Sequence, residues 1–399
     1  MSRTQSDDKA VEGLAAALLS LECGRNKDIA NKLGIKPVAV TRHLVKARRE
    51  YLKEEARILF RKLPRNLIEN ARRRLASLPL QDQLNEMAKA NGQEREISLR
   101  VFTCGPCRDD HERMSKLGVA AAPLIRILLR RTKSCGLTWG GTLETVVAAL
   151  RNLSHPTPWT CKPIQFIPLS GEPLARERSS FSSSSLAREL GILVNGELYD
   201  APSLAMVPAF VPDRFRAYER DGVWKLIELV KSYKAIFGLH HGEQAAPQSA
   251  KGAAPLAMHL DMILTSVGSH DKPLGFGRGL LFDEMSVSYD DLKTLIVAEV
   301  GGVCIPRPHL NSEKLAQLAK VQTSWTGLRL EHLEACAQRG SDLLKGPPGV
   351  VVVSGGKGRA TVICELIKRG LINHLIIDDV LAEELQKASV QRPKPDGQR

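Results

Sequence analysis

Val350-Val351-Val352-Val353 is a run of four β-branched residues with no polar position on either face. A strand that is apolar on both sides must be covered on both sides, which points to a parallel sheet between layers of helices. The run leads into Ser354-Gly355-Gly356-Lys357-Gly358 and then into a helical pattern from Arg359 to Lys368, closed by Gly370. Leu375 to Ile377 reads as the next strand, and Asp378-Asp379 opens a terminal helix.

The same texture begins near Ile97. Candidate strands run from Ile97 to Phe102, Cys135 to Leu137, Ile164 to Ile167 and Met262 to Val267. They alternate with helical patterns over Ala120 to Arg131, Leu143 to Leu150 and Leu186 to Leu190 (capped by Ser185, stopped by Gly191). Such alternation predicts an α/β domain with a mostly parallel, Rossmann-like sheet over residues 97–390. Residues 391–399, with Pro393 and Pro395, read as a disordered tail.

The N-terminal part is different in kind. Of the formal net charge of +13, a surplus of 9 lies between Met1 and Leu75 (18 Lys and Arg against 9 Asp and Glu), leaving 4 for the remainder. A concentrated basic segment favours a polyanion partner through local field and counterion release. Apolar residues repeat at helical spacing from Asp8 to Leu21. Asn26 can cap a second helix bearing Ile29, Ala30 and Leu33, Gly34 supplies a turn, and Pro37 suits the first turn of a third helix reaching about Lys53. This is a winged or simple helix-turn-helix domain over residues 1–56.

On the third helix Val40, Leu44, Ala47 and Tyr51 form the stripe to be buried, and Arg42, Lys46, Arg49 and Lys53 lie opposite. Lys36, Val38, Ala39, Thr41 and Arg42 are placed to meet base edges and backbone of double-stranded DNA, while Lys46 and Arg49 suit phosphates. Residues 57–96 read as a basic helical linker whose polar end, Gln81 to Glu96, is expected to be mobile or peripheral.

Three candidate strands end in glycine loops with hydroxyl or basic side chains. The residues are Thr138, Gly140, Gly141 and Thr142; Ser170 and Gly171; and Gly355, Gly356, Lys357 and Arg359, with Asp378 at the last strand's end. Strand carboxyl ends share one edge of a parallel sheet, and glycines there let backbone N–H groups approach a phosphate. None of the loops matches a complete Walker or dinucleotide pattern. Together they predict a phosphorylated small-molecule effector and imply no metal or other cofactor.

Lys27 to Ile35 with Thr41-Arg42, Gly136 to Leu143 around Trp139, Ala201-Pro202 after Asp200, Ser354-Gly355-Gly356 and Ile377-Asp378-Asp379 resemble the SorC family of bacterial transcriptional regulators, over about residues 9–52 and 115–390. The resemblance implies an N-terminal helix-turn-helix joined to a sugar-phosphate-isomerase-like effector domain. It also implies homodimers or homotetramers on palindromic operators. The chain departs from the family pattern at Lys36-Pro37, at Gly171-Glu172, at Gly301-Gly302 in place of Gly-Asp, and at Lys357 and Arg359. Glu172 and the lost acid imply an altered ligand.

An enzyme reading, a sugar-phosphate isomerase or deaminase with a basic appendage, would need clustered acid and base groups. Asp378 and Asp379 could supply carboxylates and His309 or His374 a base, but no clustered constellation is visible, so no catalytic residue is assigned. An RNA-binding reading is weakened by the 5% aromatic content. Cys104-Gly105-Pro106-Cys107 is the one CxxC and is expected to be structural. His240-His241 precedes a loop rich in Ala, Pro and Gln (Glu243 to Pro255) and is not expected to bind metal, and the serines from Ser179 to Ser185 suggest a flexible loop or lid. With no long apolar run and no export signal, a cytoplasmic protein with no membrane partner is expected.

Overall fold

A computed structural model of the chain describes residue 16 and residues 26–51, 77–153, 162–172, 181–212, 215–238, 254–268, 289–343 and 346–390. Of the first expected helix only Ala16 falls within these, helical and buried. Helices α1 (Asn26–Leu33) and α2 (Pro37–Tyr51) follow, joined through Gly34 in the left-handed region at φ +65°. Ile29, Ala30, Leu33 and Val40 form their buried core. Asn26 is the first residue of α1 rather than its cap. Its side-chain amide donates to Thr41 Oγ1 (3.1 Å), tying the two helices together.

Among the described residues eight strands form two sheets. β1 (Ser98–Phe102), β2 (Ser134–Leu137), β3 (Gln165–Pro168), β4 (Met262–Thr265), β7 (Gly349–Ser354) and β8 (His374–Asp378) make a parallel six-stranded sheet in the order β1-β8-β7-β4-β2-β3. β5 (Ile296–Val300) and β6 (Val303–Pro306) form an antiparallel hairpin.

Every residue of β7 is buried, and its side chains alternate between two cores. Val350 and Val352 face the core built with α3 (Leu78–Ala90) and with helices later in the chain. Val351 and Val353 face the core of α4 (Asp110–Leu129), α5 (Gly141–Asn152) and α6 (Ser183–Asn195). Each buried valine contributes about 1.5 kcal/mol. α7 (Ala217–Leu229) and α8 (Lys231–Phe237) join the first core through Trp224, Ile227, Tyr233 and Ile236. α9 (Tyr289–Leu295) and α10 (Ser312–Ser324) pack on the hairpin. α11 (Leu330–Arg339), α12 (Ala360–Lys368) and α13 (Asp379–Val390) complete the first layer.

Both edges of the main sheet are closed by side chains, which removes a template for strand addition. At β1, Leu99 N–H donates to Gln81 Oε1 (3.0 Å) and Ile97 N–H to Asn85 Oδ1 (2.8 Å). The segment from Gln81, expected to be mobile or peripheral, is therefore integral: α3 buries Leu80, Leu84 and Ala88 in the main core. At β3, Phe166 N–H donates to Tyr199 Oη (2.8 Å) and Ile164 N–H to Asn195 Oδ1 (2.9 Å). Tyr199 fits because Gly191 lies inside α6 instead of stopping it. A Cβ at that position would stand 2.2 Å from the tyrosine ring. Ser182, not Ser185, caps α6, accepting from Ser185 N–H (3.1 Å). Ser182 to Ser184 are buried, so this part of the serine run is neither loop nor lid.

His374 starts β8 at the amino edge of the sheet, almost fully buried. Burial holds its pKa down to about 3, with Arg131 and Arg100 adding to the effect. The unfolded chain then binds the extra proton first, so this contribution to stability is full above about pH 6.5 and falls as the pH drops toward 3. Thermal melts should show about 2 kcal/mol of extra destabilisation between pH 7 and pH 5. His374→Leu should remove that slope, and an unchanged slope would contradict the assignment.

Candidate functional site

Adjacent strands β2 and β4 send their chains in opposite directions, one toward β3 and the other toward β7. Such a switch point opens a crevice at the strand carboxyl ends, where ligands of open α/β sheets bind. Thr138 and Thr265 stand there fully buried, with Thr138 Oγ1 donating to Thr265 Oγ1 (3.0 Å). Gly140 takes φ +125°, a conformation that favours glycine. Gly141 begins α5, and among the described residues no atom outside its chain neighbours and its own helix lies within 4 Å of where its Cβ would be. Thr142 follows in the first turn, half-buried. The open space and the α5 amino end make this loop fit to receive an anion.

The second loop is different. Ser170 is fully buried and held through its backbone by Ser183 Oγ, while its own Oγ has no partner among the described residues. A Cβ on Gly171 would meet Pro208 O at 2.5 Å, so glycine is required by the crossing segment. Burial pushes the Glu172 carboxyl up, and the Ser184 and Ser182 hydroxyls at the start of α6 pull it back. The chain's own carboxylate therefore sits where the α6 amino end could otherwise receive an anion.

The third loop is also internally satisfied. Gly356 N–H donates to both Asp378 oxygens (3.1 and 3.0 Å) and Gly358 N–H to both Glu384 oxygens (3.1 and 2.9 Å). Asp378 Oδ1 also accepts from Leu381 N–H (2.9 Å), capping α13, and Oδ2 from Arg113 Nη1 (3.2 Å). Asp378 has no exposed surface, and its role is to hold the loop. Arg359 turns inward onto Gly355 O, facing Asp110, Asp378 and Glu384, and burial lowers its pKa. Lys357 is exposed.

Sequence reasoning missed the roof of the crevice. Trp139 packs edge-on against Trp325 (5.1 Å between centroids), which also meets Phe210 (4.8 Å). Buried Glu299 accepts from Gly302 N–H and bonds the Trp139 side chain. Burial pushes its carboxyl up, and those two bonds pull it down. No spacing rule would single out one acid in the run Ile296 to Val303. Beyond Trp325 lies a cavity of about 360 Å³ lined by Phe210, Cys304, Trp325 and Arg329 among others. Gly302 lines it too, but no residue of the three glycine loops does.

On α2, Lys36 (just before the helix), Val38, Thr41 and Arg42 are exposed and Ala39 is half-buried, opposite buried Val40. Lys46 and Arg49 continue the helix, but their side chains lie outside the described residues. His309 is exposed, and His374 lies at the opposite sheet edge from Asp378 and Asp379.

The architecture now has known counterparts. The full-length sorbitol operon regulator SorC from Klebsiella pneumoniae superposes with a TM-score of 0.51 at 18% identity, covering 95% of this chain and 99% of that one. A DeoR family transcriptional regulator from Listeria monocytogenes matches with a TM-score of 0.50 at 17% identity, covering 78% and 99%. A transcriptional regulator from Streptococcus pneumoniae TIGR4 gives 0.51 at 17%, covering 79% and 99%. The chain shares its fold with these proteins. No family model and no curated protein matches it in sequence. No described helix is long and apolar enough to cross a membrane.

Proposed function

We propose that the protein is a transcriptional regulator. Its α1–α2 unit reads double-stranded DNA, and a small carbohydrate-like, phosphorylated effector bound at the strand-end crevice sets its operator affinity. The observation that carries this is the pairing of two features in one chain. One is a helix-turn-helix with an exposed Lys36, Thr41 and Arg42 face; the other is an α/β domain open above Gly141 at its switch point. The coincidence in fold with a sorbitol operon regulator supports a carbohydrate-like effector. Asp378, the acid an isomerase would need, is already engaged by Arg113, Gly356 and Leu381, which favours a binding protein over an enzyme.

One helix-turn-helix reads half a site, so the working unit is a homodimer or homotetramer on a palindromic operator. The effector acts by binding one arrangement of subunits better than another. Arg42→Ala should weaken binding to the upstream region of its own gene by about 1–3 kcal/mol in fluorescence anisotropy. Unchanged affinity would remove Arg42 from the interface. Gly141→Val should abolish the thermal shift given by sugar phosphates, about 2.7 kcal/mol at a hundredfold excess over Kd, while leaving DNA binding intact. A full shift in that variant would take the first loop out of the site.

A further inference from the structure

The loop after β1 carries chemistry that the regulator reading does not use. Cys104 is buried and Cys107 half-exposed, and both thiols are free. Gly105, at φ +64°, turns the chain so that Cys107 Sγ folds back to 3.7 Å from the carbonyl oxygen of Cys104 and 3.4 Å from that of Gly105. Asp378, Asp379, Cys107 and, with opposite effect, Arg113 face the Cys104 sulfur. Lys116 Nζ donates to Pro106 O (2.8 Å), pairs with Glu112 (3.1 Å) and lies within hydrogen-bonding reach of Cys107.

We propose that Cys104 and Cys107 form an oxidisable dithiol, a modification site that a peroxide converts to an intramolecular disulfide. The two thiols are unequal, and the inequality sets the order of events. Burial, reinforced by Asp378 and Asp379, pushes the Cys104 thiol up to about 12, so it stays protonated. Cys107 is reachable from solvent, and the Lys116 ammonium stands where negative charge gathers on an attacking sulfur. Cys107 sulfur attacks one peroxide oxygen. The S–O bond forms, the O–O bond breaks, and the departing hydroxide leaves as water with the thiol proton. Cys104 sulfur then attacks the sulfenic acid. The S–S bond forms, the S–O bond breaks, and the second hydroxide takes the Cys104 proton. Two thiols lose two electrons in all, and one peroxide becomes two waters.

The proximity also protects against over-oxidation, since a sulfenic acid beside a resolving thiol closes to a disulfide. Cys135, Cys304, Cys336 and Cys364 are all buried within the cores. The remaining cysteines, Cys23 and Cys161, lie outside the described residues.

The test is peptide mapping of the reduced full chain treated with hydrogen peroxide and then alkylated. The peptide spanning Cys104 and Cys107 should lose both alkyl labels and weigh two hydrogens less than the free dithiol. In Cys107→Ser the label on Cys104 should be retained in full. Persistence of both labels in the unmodified sequence would overturn the proposal. So would sulfinic acid on Cys107 with Cys104 still labelled, or a bridge from either cysteine to any other.

Discussion

Asp378→Ala should lower stability by about 4 kcal/mol, a drop of roughly 8 °C in Tm, without any ligand present. The carboxylate is fully buried, and Arg113 opposite it is only 17% exposed. Removing one partner of a buried pair strands the other charge, at a cost of about 3–5 kcal/mol. The same change leaves Gly356 N–H and Leu381 N–H without their acceptor. Asp378→Asn keeps one oxygen to accept from Leu381 and Gly356, but it loses the charge and turns the atom facing Arg113 into a donor, so its penalty should be smaller than that of Asp378→Ala but of the same order. Urea melts of the two variants check this directly. Equal stability of Asp378→Ala and the unmodified chain would mean that the carboxylate does not hold the loop.

Gly302→Ala should be comparably damaging, at about 4 kcal/mol, although it adds a single methyl group. The residue sits at φ +95°, where a side chain is strained, and its Cβ would stand 1.8 Å from Trp325 Cζ2. The indole cannot yield easily, since it packs against Trp139 and Phe210 and donates to Leu328 O (2.7 Å). Neighbouring Gly301 is equally confined, with its Cβ position 2.3 Å from Thr138 Cγ2. The variant should melt lower and change the tryptophan fluorescence of the crevice roof. Unchanged melting and emission would place Trp325 elsewhere. The same geometry accounts for the Gly-Gly at this turn. A residue with a side chain at 302 would collide with Trp325.

What could be read from the sequence was local and periodic. The four valines of β7 announced a strand covered on both faces, and Gly34 between Leu33 and Pro37 announced the turn between two helices. The docking of α3 is not legible in the sequence, because its decisive bonds, from Gln81 and Asn85 to β1, join a polar surface to a strand edge that no periodicity encodes. Gly191 reads as a helix stop in the sequence, whereas its absent side chain makes room for Tyr199. The candidate site divided similarly. Glycines and hydroxyls at strand ends point to the carboxyl edge of the sheet, where the strands place them. Whether a loop's amide groups are open or already satisfied depends on Asp378, Glu384 and Glu172, which are distant in the chain or hidden by burial. Only the loop at Gly141 combines an open approach with a helix amino end.

A DNA-binding regulator controlled by a sugar phosphate is tested most directly by binding of the full chain to a labelled duplex from upstream of its own gene, titrated by anisotropy with and without a set of sugar phosphates. Binding should be at least a thousandfold tighter than to an unrelated duplex, weakened by salt and by Arg42→Ala, and shifted by one of the sugar phosphates. Equal affinity for both duplexes, unmoved by any of the phosphates, would contradict this reading.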